Sequence, residues 1–247
     1  MDDQGIGGAV STSPDPLDEE RRNARTLVEF AYGRLRREIL CGHLEPGSRL
    51  RVEQLKTEYQ VGSSTLREAL SLLVADALVT SEGQKGFRVA PISLEDLRDV
   101  TEMRKLLETR ALKEAIALGD DNWEAGVVAA YHRLTRVEER LGDGPEPVAE
   151  EWEERNRAFH EALIAACPSK WLRHFRSILY HQSERYRRLA LTARAMPRDV
   201  HAEHQGIMEA VLARDVETAT RLTEEHIDRT LAAVTQLAGN LKALKPK

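Results

Sequence analysis

Cysteine is scarce in this 247-residue chain: only Cys41 and Cys167 occur, too few and too separated for a disulfide framework, which fits a reducing cytoplasm. Aromatic residues amount to 5%, and no run of about 18 apolar residues is available to span a bilayer. A secretory leader is also missing. The first twenty residues, MDDQGIGGAVSTSPDPLDEE, are acidic and rich in Gly, Ser and Pro, without the basic start and apolar centre that export requires. Residues 1–24 are therefore expected to form a disordered acidic tail. These absences exclude membrane proteins and disulfide-stapled secreted domains, and leave a cytoplasmic protein with no membrane partner.

Charge, by contrast, is plentiful, at 31% of residues. The length exceeds that of most single domains, so two domains are expected. The net charge of −5 is distributed unevenly. Residues 1–20 carry six acids and no base, residues 21–92 hold twelve Lys/Arg against eight Asp/Glu, and residues 93–247 hold twenty-four against twenty-seven. A compact basic segment on an acidic protein is the electrostatic footprint of a nucleic-acid-binding domain joined to something else.

Periodicity divides the chain in the same way. In RTLVEFAYGRLRREILC, Val28, Tyr32, Leu35 and Ile39 recur at helical spacing, with Arg34, Arg36 and Arg37 on the other face. GHLEPGSRL breaks that helix, and a second one follows through Val52, Leu55 and Tyr59. After Gly62, Ser63 or Ser64 can cap a third helix that continues to about Leu78. VTSEGQKGFRVAP then reads as two strands around a turn. Three helices and a β-hairpin make a winged helix-turn-helix over residues 25–92. Strand signals vanish beyond it, and six helices are expected at about 94–118, 122–141, 147–166, 169–193, 199–214 and 216–238. Their short connections favour antiparallel neighbours, giving an all-α bundle over residues 93–240 and a basic tail at 241–247.

The third helix changes character along its length. GSSTLREALSLLV begins with small residues, presents Arg67 and Glu68, and turns apolar. A recognition helix has this form: its rear face is buried while its first turns approach the major groove, where an Arg can take the guanine O6/N7 pair. Arg67 is the base-reading candidate. Ser63, Ser64 and Thr65 would bond phosphates or base edges, with the helix N-terminus favouring a phosphate. Arg51, Gln84 and Lys85 would add backbone or minor-groove contacts. A solvated Arg67–Glu68 surface pair is the alternative, and three helices, hairpin and basic charge together argue against it.

The stretch VGSSTLREALSLLVADALVTSEGQKGFRVAP resembles the N-terminal DNA-binding domain of the GntR family of bacterial transcription regulators, over roughly residues 28–91. Members usually read Ser-Arg before the LREAL core and close the helix with Gly-Leu, where this chain has Gly62-Ser63 and Ala77-Leu78.

Seven of the eight histidines fall in the helical half, three of them on stripes that should face a core. Asn156 and His160 stand at i and i+4, in line with Ile164 and Cys167. His204 lines up with Val200, Ile207, Met208 and Val211, and His226 with Ala219, Leu222, Thr230 and Ala233. Buried polar groups need partners. Each could be a core histidine held by one hydrogen bond, or the three could share a ligand. Three imidazoles and an oxygen donor suit Zn²⁺, Ni²⁺ or a similar divalent ion. His201 is a neighbouring decoy, and His132, His174 and His181 have no comparable set of partners.

MRKLLE near residue 103, NRAFHEAL, EHQGIMEAVLARD and EEHI are similar to the FCD effector domain of the FadR subfamily of GntR regulators. That resemblance implies a metal held by Asn156, His160, His204 and His226, with Asn156 where many members have Asp, and a small organic acid beside it. It also implies homodimers on palindromic operators. Arg104 matches the Arg of the family's R-x-x-L-E pattern and either meets an effector carboxylate or pairs with Glu108 one turn away. In YHQSERYRR, Gln182 and Arg185 are further candidates for effector contact. The expected protein is a metabolite-responsive repressor that senses a small organic acid, such as a short dicarboxylate, and is not an enzyme. The alternative is a metal-dependent enzyme acting on a small carboxylate in the helical domain.

Overall fold

A computed structural model describes residues 21–22, 24–81, 83, 86–140, 146–192 and 199–244. Residues 1–20 and 245–247 of the expected tails lie outside these, as do Gln84 and Lys85, the expected wing contacts. The described residues are mainly helical, with one small sheet, and no helix among them is long and apolar enough to cross a membrane.

The N-terminal unit contains α1 (Leu27–Leu40), α2 (Val52–Tyr59) and α3 (Ser63–Ala75). Thr26 caps α1 by accepting from the Glu29 backbone N–H at 3.0 Å. Gly62, not Ser63 or Ser64, is the N-cap of α3, and no side chain caps it. Ser63 Oγ instead donates to Glu53 at 3.3 Å. Helix α3 ends in a left-handed closure: Ala77 has φ 56°, and the Leu78 N–H reaches back to Leu73 O at 3.0 Å. A positive φ there favours glycine, so Ala77 retains a steric cost that glycine would not carry.

The wing is larger than the expected hairpin. Strands β2 (Val79–Ser81) and β3 (Phe87–Val89) pair antiparallel, and β1 (Arg49–Leu50) adds to the far side of β3, giving the order β1-β3-β2. Arg49 lies opposite Arg88, and Val79 opposite Val89. Two residues are too few to show a period of two, so the sequence gives no sign of β1. Leu35, Leu55, Tyr59, Leu66, Leu70, Leu73, Leu78 and Val89 close one core beneath these elements.

The C-terminal unit comprises α4 (Leu94–Leu118), α5 (Asp121–Glu138), α6 (Glu146–Leu163), α7 (Lys170–Thr192), α8 (Val200–Leu212) and α9 (Val216–Leu244). Ser93, Asp120 and Asp199 cap α4, α5 and α8 through their side chains. Helix α4 packs on α7 and α9, α5 on α6, and α8 on α9. Trp123, Val127, Leu134, Trp152, Phe159, Ile207 and Val211 form its main core. A smaller cluster of Leu97, Tyr186 and Val234 lies near the junction of the two units.

Trp123 locks the α4–α5 corner. Its indole N–H donates to Ala162 O at 2.9 Å, and the Arg214 guanidinium lies 5.1 Å from its ring. A Cβ on Gly119 would sit 2.0 Å from that ring. Gly119→Ala should therefore cost about 1–3 kcal/mol through overpacking, read as a lower urea midpoint at unchanged slope. An unchanged midpoint would mean that the ring can retreat.

Candidate DNA-reading and ligand-binding sites

Helix α3 is two-sided. Leu66, Ala69, Leu70 and Leu73 are buried, while Ser64, Arg67, Glu68 and Ser71 are exposed on the opposite face. Arg67 thus stands free of the core in the second turn. Thr65 and Ser63 are half-buried, and Arg51 is exposed at the start of α2. Arg88 of the wing donates to Gly47 O at 3.1 Å and so helps shape the sheet.

The second constellation lies inside the bundle, where α6, α8 and α9 bring His160, His204 and His226 together. All three are buried, and one ligand atom from each lies within 4.8 Å of the others. Ring centroids are 5.5 Å apart for His160–His204, 5.1 Å for His160–His226 and 4.9 Å for His204–His226. Carboxylates hold two of the rings from behind. Glu138 Oε1 takes His204 Nδ1 at 2.8 Å, and Glu203 Oε2 takes His226 Nδ1 at 2.8 Å. A proton on Nδ1 directed at a carboxylate leaves the Nε2 lone pair for a ligand. His204 Nε2 is buried and has no hydrogen-bond partner among the described residues. The same holds for Asn156 Oδ1, whose own amide donates to Tyr180 Oη at 2.9 Å.

The electrostatics favour a neutral His160 ring. Burial, followed by the neighbouring His226 and His204 and then Arg176 and Arg104, holds the His160 imidazole well below its ordinary value. Burial alone would raise the Glu138 carboxyl, but its bonds to His204 and His201 prevail and hold it below the usual range. His201, the expected decoy, shares this carboxylate at 2.9 Å and remains partly exposed.

Next to the imidazoles, three guanidiniums surround Tyr180. Arg104, Arg176 and Arg187 lie 5.0, 4.5 and 4.7 Å from its ring centroid. Glu108 is paired with Arg104 at 2.7 Å and lies 3.5 Å from Arg176, while Glu153 is gripped by Arg187 through two bonds of 3.0 and 2.8 Å. Three cations thus face two carboxylates, all buried. Arg176 Nε has no hydrogen-bond partner among the described residues. The Arg104–Glu108 ion pair left open by the spacing is present, and Arg104 Nη1 also donates to Ser183 Oγ at 2.8 Å.

The structure brings Asn156 and the three histidines together and places Arg104 in the adjoining cluster. Gln182 and Arg185 are not brought there. Gln182 Nε2 donates to Asp76 O at 2.9 Å, and Arg185 Nη2 donates to Ala90 O, both in the N-terminal unit. On a helix, positions 182 and 185 point away from 176, 180, 183 and 187, so the two side chains cannot share the cluster. Arg176, Glu138 and Glu203 are the residues that sequence reasoning missed.

A winged helix-turn-helix followed by an all-helical domain is the build of a DNA-binding transcriptional regulator. The family described as bacterial regulatory proteins, gntR family, matches residues 27–89, and the FCD domain matches residues 99–229. The HTH-type transcriptional regulator BphR of Paraburkholderia xenovorans is 47% identical over 234 residues, 94% of each chain. The HTH-type transcriptional repressor GlaR of Escherichia coli is 39% identical, covering 85% of this chain and 96% of its own. Escherichia coli McbR/YncC shares the fold with a TM-score of 0.73 at 21% identity, over 87% of this chain and 100% of its own. The chain belongs to the GntR family of transcriptional regulators and carries an FCD domain.

The buried Arg187–Glu153 pair supplies a direct test of the cluster. Glu153→Ala strands a guanidinium in the bundle and should cost about 3–5 kcal/mol in urea unfolding, whereas adding Arg187→Met should recover most of the loss. Additive losses would show that the two side chains do not compensate each other.

Proposed function

We propose that this regulator is a homodimeric, cytoplasmic repressor released from DNA by a small organic acid that binds beside a divalent metal ion in its FCD domain. The observation that carries this reading is the pair of buried, unpartnered acceptors, His204 Nε2 and Asn156 Oδ1, beside three clustered imidazoles. Unsatisfied buried acceptors are costly, and a cation is the partner that neutral imidazoles suit. Asn156, His160, His204 and His226 would hold the ion, with Zn²⁺ or Ni²⁺ matching nitrogen-rich donors. When bound, the ion supplies a charge that draws a carboxylate to the centre. Arg104 and Arg176 would orient that carboxylate, since the cluster has one cation in excess and Arg176 retains an unpartnered donor. A short dicarboxylate would match positive charge on two sides, the ion on one and the arginines on the other.

On the DNA side, Arg67 would read a guanine in the major groove, with Ser63, Ser64 and Thr65 at the helix start, Arg51 beside them, and Gln84 and Lys85 at the wing tip. Two copies related by a two-fold axis would meet the half-sites of a palindrome. The name of GlaR as a repressor supports that sign of regulation. The acid can release DNA only by binding one arrangement of the dimer better than the other.

Arg67→Ala should weaken binding to a selected operator by about 1–3 kcal/mol and leave metal content unchanged. Equal loss on unrelated DNA would reassign Arg67 to backbone contact. His160→Ala should abolish the bound metal detected by elemental analysis while leaving DNA binding intact. In the unaltered protein, metal affinity should hold through the ordinary imidazole range and fall only at lower pH, where His160, whose imidazole burial keeps well below its ordinary value, takes up a proton and cannot ligate. A flat pH profile, or metal retained by His160→Ala, would remove the imidazoles from the site.

A further inference from the structure

Helix α7 has two polar faces that serve different parts of the molecule. Arg176, Tyr180, Ser183 and Arg187 form one stripe at spacings of four, three and four, directed into the charged centre of the bundle. On the opposite side, Gln182 and Arg185 hold two backbone carbonyls of the DNA reader. Asp76 is the C-cap of recognition helix α3, and Ala90 directly follows wing strand β3. The Ala90 N–H bonds Leu78 O at 3.0 Å, so both held carbonyls belong to one hydrogen-bonded unit that carries Arg67 and the wing.

The chemistry of this hold is unusual. Arg185 is 4% exposed, yet its hydrogen-bond partners are a peptide carbonyl and, at 3.3 Å, the Gln182 amide oxygen. With the Asp96 carboxylate acting on it without a hydrogen bond, a guanidinium buried against neutral acceptors contributes less to stability than an apolar side chain would. What such a contact supplies is orientation, because the donors fix where each carbonyl must lie. Ser183 lies within one turn of both Gln182 and Arg185, and Tyr180 within one turn of Gln182, so a shift of the inward stripe moves both holding groups together.

We infer that Gln182 and Arg185 are positioning residues of the DNA reader, through which movement of α7 at the bundle centre is passed to the recognition helix and wing. The transmission half of this inference rests on the metal site proposed above; the positioning half does not. No contact of either residue with the metal or the acid is required.

Hydrogen exchange on the full-length protein separates the two halves. In chelator-treated protein, Arg185→Met should raise exchange over residues 76–81 and 87–92 several-fold, Gln182→Ala less, and Arg185→Lys should restore much of the protection. Far-UV circular dichroism and exchange within α5 and α6 should stay unchanged, which separates local release from misfolding. Unchanged protection in both Arg185→Met and Gln182→Ala overturns the positioning role, whatever the metal does. Adding Zn²⁺ should then alter exchange over the same segments in the unaltered protein. In Arg185→Met the Zn²⁺ affinity should stay within twofold while that response disappears. A response that survives in Arg185→Met, or a tenfold loss of Zn²⁺ affinity there, overturns the transmission. Failure of the unaltered protein to take up Zn²⁺ sinks the metal reading, and the chelator-treated comparison still decides the positioning.

Discussion

The helical domain depends on how charge is neutralised in its interior. Arg104, Arg176 and Arg187 lie buried around Tyr180, opposed by Glu108 and Glu153, with the buried Glu184 acting on Arg187 as well. An isolated guanidinium in such surroundings would cost several kcal/mol, so each must be paired, stacked on an aromatic ring, or both. This requirement decides much of the local sequence. Helix α6 must place Glu153 one turn before Asn156 and two before His160, and α4 must place Glu108 one turn after Arg104. Burial first, then His226 and His204, and then Arg176 and Arg104 drive the His160 imidazole towards its neutral, ligating form. The cations therefore help to prepare the nitrogen cluster.

That same interior limits what the sequence could reveal. The winged reader was legible because its recognition helix has one apolar and one polar face, and because Gly, Pro and alternating strands punctuate the rest. The histidines were legible because each sits on an otherwise apolar stripe. Helix α7 was not, since residues 182–187 are all buried between the reader and the bundle, and no contrast of polarity marks which side is which. Gln182 and Arg185 consequently read as pocket residues when the fold turns them outward to Asp76 and Ala90. Glu138 and Glu203 were invisible for another reason: they act across helices, at separations of 66 and 23 residues from the imidazoles they hold. Arg176 follows the exposed run Arg173, His174 and Phe175 and carries no sign of its own burial.

The junction between the two units combines the small apolar cluster of Leu97, Tyr186 and Val234 with hydrogen bonds to named carbonyls of the reader. An apolar interface would bind the reader wherever shapes matched, whereas hydrogen bonds to named carbonyls fix one orientation. Within the C-terminal unit, Tyr186 accepts from the Ser93 N–H at 3.2 Å and donates to Asp96 at 2.7 Å, which ties the start of α4 to α7. Arg36 of α1 faces Glu184 at 3.7 Å on the same side. A regulator that must reposition its readers in response to a bound molecule gains from contacts that are specific and of modest net strength.

Asn156 sharpens the relation between ion and acid in the proposed reading. An aspartate at this position would bring a negative charge to the centre and offset half the charge of a divalent ion. The amide brings none, and in the nearest cluster Arg104 and Arg176 share the single carboxylate of Glu108. An ion held by three neutral imidazoles and an amide beside that excess raises the local positive charge further, in surroundings with little water to screen it. The anion that enters next is then attracted by both the ion and the arginines, and by reciprocity its arrival strengthens the hold on the ion. In the proposed reading, a metal held by this donor set would take part in recognising the acid and would not be a permanent structural staple.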